Sequence, residues 1–132
     1  MIIDHIGIAV QNLDESIALY ARLFGMTVTY RERLDSQKVE LVFIDSGASK
    51  IELLAPTAPE SKIALFIKNR GPGLHHTCYR VDDIKTELAR LASEGVELID
   101  KTPRPGAHGT QIAFLHPRSV GGVLTELCEY PK

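Results

Sequence analysis

The strongest constraint on this chain is that it uses one local plan twice. Asp4-His5-Ile6-Gly7-Ile8-Ala9-Val10 runs into Asn12-Leu13-Asp14, and Leu74-His75-His76-Thr77-Cys78-Tyr79-Arg80-Val81 runs into Asp82-Asp83. Each stretch reads as a histidine, a short strand, a polar helix cap and an amphipathic helix, and the two histidines His5 and His76 lie 71 residues apart. A repeat of that period restricts the fold more than any local propensity does. Either copy alone, at roughly 55–60 residues, would be marginal, so the two are expected to share one interior. With 132 residues and 44% hydrophobic content the chain predicts a single domain, 1–132.

Taken in order, residues 2–10 alternate and are rich in Ile and Val, which predicts a strand. Ile6, Ile8 and Val10 mark one face; His5, Gly7 and Ala9 mark the other, leaving space beside the imidazole. A helix follows, with Ile17, Leu19, Tyr20, Leu23 and Phe24 at helical spacing and Gly25 as its left-handed stop. Strands are expected at 26–34, 38–45 and 49–54, which completes β-α-β-β-β. The first module is thus 2–54, with a connector over 55–73 that carries a short helix from Ser61 to Arg70. The second module, 74–129, repeats the plan: strand 74–82, helix 83–94, strand 96–100, a glycine-bearing basic loop to 109, then strands 110–115 and 122–129. The fold class is therefore α+β, two tandem βαβββ modules.

A net charge of −2 offers no electrostatic footprint for nucleic acid and no attraction to anionic membranes. No apolar run approaches the ~18 residues of a membrane span, and Met1-Ile2-Ile3-Asp4 has no basic signal-peptide start. Cys78 and Cys128 form no CxxC spacing and predict free thiols in a reducing, cytoplasmic setting.

The repeat extends to chemistry. Ile51-Glu52-Leu53-Leu54 closes the first module and Thr125-Glu126-Leu127-Cys128 the second, with the glutamates 74 residues apart. Two imidazoles and two carboxylates converging on one point would suit a divalent first-row metal such as Zn, Co, Ni, Mn or Fe, and would neutralise it. A duplicated fold also repeats its structural side chains, so on residue types alone both readings stand.

These residues resemble the vicinal-oxygen-chelate superfamily, which includes glyoxalase I and extradiol dioxygenases. Within it, Asp4-His5-Ile6-Gly7-Ile8-Ala9-Val10, Gly73-Leu74-His75-His76, Gly106-Ala107-His108-Gly109, Phe114-Leu115-His116-Pro117 and Gly121-Gly122-Val123-Leu124-Thr125-Glu126-Leu127 are similar to the methylmalonyl-CoA epimerase family over essentially the whole chain. The resemblance implies a curved mixed sheet around a central metal cleft. It also implies a 1,1-proton transfer that interconverts (R)- and (S)-methylmalonyl-CoA through an enolate-like intermediate. By position it assigns His5, Glu52, His76 and Glu126 as metal ligands, cobalt being the preferred ion and Zn, Ni or Mn alternatives. It assigns Glu40 and Glu126 as the acid/base groups. Some members carry glutamine where this chain has Glu52, and the extra charge should hold the ion tighter while weakening it as a Lewis acid. An acyl-CoA substrate and a homodimer are implied, with no nucleic acid or membrane partner. A glyoxalase-type isomerase, a related acyl-CoA racemase and a non-enzymatic binding protein are the alternatives on the same scaffold.

Softer candidates remain. His75 is expected on the opposite strand face from His76, as a structural residue. His108 and His116 are candidates for touching substrate or orienting a ligand, and structural roles are open for both. Cys78 and Cys128, two residues beyond His76 and Glu126, are read as packing. Lys101, Arg104 and Arg118 are candidates for coenzyme A phosphates.

Overall fold

The computed structural model describes residues 1–132. Its strands are β1 (Ile2–Ala9), β2 (Val28–Leu34), β3 (Val39–Ser46), β4 (Ser49–Pro56), β5 (Gly73–Arg80), β6 (Arg104–Pro105), β7 (Gln111–Leu115) and β8 (Thr125–Glu129). Its helices are α1 (Leu13–Phe24), α2 (Lys62–Arg70) and α3 (Ile84–Ser93). The chain divides into two compact units, His5–His75 and Met1–Asp4 with His76–Lys132.

In the first unit the strands lie in the order β2-β3-β4-β1, with β1 parallel to β4 and the other pairs antiparallel. Asn12 starts α1 by accepting the Glu15 N–H, and Gly25 ends it at φ 65, a conformation glycine reaches without steric cost. The helix lays Leu13 on Val10, Val42, Ile44, Leu53 and Ala55, with Ile17 and Tyr20 packed alongside. Because strand side chains alternate, Val42 and Ile44 under the helix commit Leu41 and Phe43 to the opposite face. The unbroken β3–β4 register from Val39 to Ser46 preserves that parity along the whole strand.

The second unit repeats the arrangement as β5-β8-β7-β6: its first strand in sequence, β5, is parallel to its last, β8, as β1 is to β4, and the other pairs are antiparallel. Asp83 caps α3 by accepting the Thr86 N–H, and Ile84 and Leu88 pack on Val81, Ala113, Leu115 and Leu127. The strand expected at 96–100 is reduced to a single bridge, Leu98 to Leu115. Ile99 and Asp100 both donate their N–H groups to the Phe114 carbonyl, while the Asp100 carboxylate accepts the Phe114 N–H at 2.8 Å. A side chain has thus replaced the backbone acceptor that a ladder would need. Conversely, the expected loop contains the two-residue strand β6. β8 begins at Thr125 and not at 122, because Gly121 (φ 64) and Gly122 (φ 95) form a turn. No helix is long and apolar enough to cross a membrane.

Leu53 is fully buried beneath α1. Leu53→Ala is expected to lower unfolding stability by about 2–5 kcal/mol in urea titrations, the cost of lost burial plus the residual cavity.

Candidate functional site

Parallel pairing within each unit decides where the histidines and glutamates point. In the first unit Gly7 stands opposite Glu52, so His5, two residues earlier on β1, shares its face with the glutamate. His5 Nε2 lies 3.4 Å from Glu52 Oε1, with both side chains 6% exposed. Gly7 between them adds no side chain. Phe43, opposite Glu52 on β3, closes the group, its ring edge-on to His5 with centroids 5.3 Å apart.

The second unit builds the same triplet from different residues. Cys78 stands opposite Glu126, so His76 is again two residues before the residue facing the glutamate. His76 Nε2 lies 3.3 Å from Glu126 Oε1, with exposures of 3% and 7%. Phe114, opposite Glu126 on β7, sits edge-on to His76 at 5.8 Å. Phe43 and Phe114 were not singled out by the sequence reading, yet they lie 71 residues apart, the same interval as His5 and His76. That interval was the available signal.

Each pair therefore offers one imidazole nitrogen and one carboxylate oxygen, buried and side by side. The separations exceed the ~2.7–2.9 Å of a charge-assisted N–H···O bond. They match two donors on one cation, since bonds of about 2.1 Å put neighbouring ligands roughly 3.0–3.4 Å apart. A carboxyl group this buried stays ionised only beside a compensating positive charge, and the donor set fits a divalent first-row ion. The cysteines fill space beside the second pair. Cys78 and Cys128 are free and buried, packed with Ile112 and flanked by Phe114 and Tyr130. Burial foremost, then the neighbouring Cys128 thiol and Glu126, push the Cys78 thiol far up and keep it protonated.

Glu40, expected as an acid/base group, does not share this face. It has the parity of Val42 and Ile44, on the side covered by α1, and Arg31 ties it to that helix through contacts of 3.0 Å to Glu40 and 2.9 Å to Asp14. A single step along β3 separates it from Leu41, and that step turns its carboxylate away from the His5–Glu52 side. The titratable neighbours on the His5–Glu52 side are Tyr30 and Glu32 on β2, opposite Phe43 and Leu41. The Tyr30 hydroxyl donates to Glu32 Oε1 at 2.6 Å, and that bond raises its pKa above the usual phenol value.

The softer candidates separate cleanly. His75 packs edge-on against Phe66 of α2 at 4.8 Å, in keeping with a structural role. His108 adopts a left-handed conformation (φ 62), and its ring lies 6.4 Å from that of Tyr130. His116 is engaged by Arg118, whose N–H and Nε both donate to its Nδ1, and Arg118 also reaches Glu97 at 3.4 Å. Lys101 is exposed, whereas Arg104 is held by Asp100 at 3.1 Å.

Residues 4–114 match the Glyoxalase/Bleomycin resistance protein/Dioxygenase superfamily. The mitochondrial methylmalonyl-CoA epimerase of Dictyostelium discoideum is 44% identical over 96% of this chain and 77% of its own length. The crystal structure of methylmalonyl-CoA epimerase from Mycobacterium tuberculosis superposes with a TM-score of 0.93 at 39% identity, covering 98% of this chain and 88% of that one. A Streptomyces coelicolor methylmalonyl-CoA epimerase variant in complex with 2-nitronate-propionyl-CoA superposes with a TM-score of 0.93 at 34% identity, over 98% and 94% of the two chains. Identity at this level along nearly the whole chain, on one fold, makes the protein a member of the methylmalonyl-CoA epimerase family within the glyoxalase superfamily.

Proposed function

We propose that this chain is a methylmalonyl-CoA epimerase that uses one divalent cation held jointly by His5, Glu52, His76 and Glu126. The observation that supports this reading is the repeated, buried His–Glu–Phe triplet, a donor set with no evident use in a merely structural sheet. The compound bound to the Streptomyces coelicolor relative fits it chemically. A nitronate is planar and delocalised, like an acyl group deprotonated at C2. When bound, a divalent cation supplies Lewis-acid stabilisation of the negative charge that develops on the thioester oxygen. Cobalt is the ion this reading prefers, with Zn, Ni and Mn as alternatives.

The chain's own residues then have defined tasks. Phe43 and Phe114 cover the two histidines and exclude water, which strengthens electrostatic interactions inside the site. Epimerisation needs a proton acceptor on one side of C2 and a donor on the other. Glu126 Oε is assigned to one side. Glu40 faces away, so Glu32, hydrogen-bonded to Tyr30, is assigned to the other. The C2–H bond breaks and an O–H bond forms on one carboxylate; the reverse transfer comes from the opposite side. Two free, buried thiols suit a reducing, cytoplasmic setting. Leu19, Leu23 and Phe24, 42%, 53% and 61% exposed on α1, are consistent with a homodimer.

The deciding experiment is solvent deuterium exchange. Metal-loaded protein in D₂O should incorporate deuterium at C2 of (R)-methylmalonyl-CoA and yield the (S) epimer, and a chelator should stop both. Absence of exchange with verified metal content, or turnover of methylglyoxal hemithioacetal in its place, contradicts the reading. Glu32→Gln should slow exchange from one epimer by at least about tenfold, within the usual range for a proton-transfer group. Glu40→Gln should leave both rates unchanged and cost at most about 1 kcal/mol of stability, as expected for a partly exposed ion pair. Removing the cation should lower the melting temperature. At free metal a thousand times Kd the loss is about 4 kcal/mol, readable by calorimetry.

A further inference from the structure

The sheet face that presents His76 and Glu126 also presents an arginine. Arg104 on β6 pairs with Ile112, which shares its face with Phe114, and these two stand opposite Cys128 and Glu126 on β8. The Arg104 guanidinium lies over the Phe114 ring, 5.5 Å from its centre, and that same ring is edge-on to His76. Asp100 fixes the geometry from behind. Its Oδ1 accepts from Arg104 Nε at 3.1 Å, and its Oδ2 accepts the Phe114 N–H at 2.8 Å. The Arg104 side chain is 34% exposed while Asp100 is 17% exposed, so the arginine end of the pair is the open one.

This arrangement is suited to binding and poorly suited to stability alone. Asp100 engages the Nε edge of the guanidinium, which leaves the planar pair of Nη groups for a second anion. The face of the Phe114 ring, 5.5 Å from the guanidinium carbon, attracts the cation and helps hold it on this side of the sheet. Arg80, the other arginine of this face, stands four residues beyond His76 on β5, over Tyr130 at 3.9 Å and beside Asp4 at 3.8 Å. Arg104 is thus the cation one ring away from the histidine.

We propose that Arg104 recognises the free carboxylate of the acyl group, with Asp100 and Phe114 as its positioning residues. The inference rests on the epimerase reading and names the group that distinguishes a malonyl-type thioester from a simple acyl thioester. Carboxylate and phosphate both accept paired N–H donors, so the coenzyme's phosphates are the rival source. The carboxylate is favoured because it is attached to C2 itself, and Arg104 is separated from His76 by the Phe114 ring alone, whereas the phosphates sit at the far end of a long, flexible tail.

Calorimetric binding of malonyl-CoA and acetyl-CoA, which differ only in that carboxylate, tests the inference on metal-loaded protein without turnover. Arg104→Met should weaken malonyl-CoA on the order of 10- to 100-fold, the effect of losing hydrogen bonds to a charged group, and leave acetyl-CoA unchanged. Arg104→Lys, which keeps the charge but loses the fork, should fall between. Malonyl-pantetheine, which lacks the nucleotide, should lose the same factor in Arg104→Met. Equal weakening of both CoA esters, a loss confined to nucleotide-bearing ligands, or no weakening in either variant overturns the inference. Deuterium exchange by the unmodified protein tests the epimerase reading separately, so the two can fail independently.

Discussion

The register of the parallel strands is the constraint on which the rest depends. In each unit a glutamate faces the residue two beyond a histidine: Glu52 faces Gly7 after His5, and Glu126 faces Cys78 after His76. An even offset keeps both side chains on one face; an odd one would send the glutamate into the helix-covered core. Everything chemical in the molecule follows from that parity. The helices secure it by burying the other face, since slipping either strand by one residue would expose Leu53 or Leu127, both fully buried.

Burying a carboxylate beside an imidazole is costly unless the charge is compensated. The chain does this twice, at exposures of 7% or less, and surrounds each pair with apolar groups. A structural sheet would place Val or Ile at these positions. The phenylalanines show how far the duplication reaches, because they hold the same cross-strand position against each glutamate and the same edge-on contact with each histidine. What was repeated is a buried His–Glu pair with its cover, and the cysteines beside the second pair fill space there, Cys78 held protonated by burial.

Much of this was legible in the amino-acid sequence. The strand–cap–helix plan around His5 and His76 and the glutamates near each module's end predicted the elements and the pairs. Two features resisted. Glu40 lies on a strand whose position was read correctly, but strand boundaries do not reveal which face a given residue takes; that is settled by which side α1 covers, through contacts of Leu13 with Val42 and Ile44. The segment 96–100 has the composition of a strand, yet the Asp100 carboxylate takes the Phe114 N–H and ends the ladder after one bridge. That same aspartate orients Arg104, which the sequence offered only as one of three basic candidates for coenzyme A phosphates. In both cases a side chain's long-range partner decided the outcome, and sequence patterning is blind to such partners.

The central claim is that two like pairs serve one ion. Cobalt titration followed by elemental analysis of the gel-filtered protein tests it most directly. A shared centre predicts one tightly bound ion per chain, lost in full from either His5→Ala or His76→Ala. Two ions per chain, with each variant losing only one, would show independent sites and contradict the account.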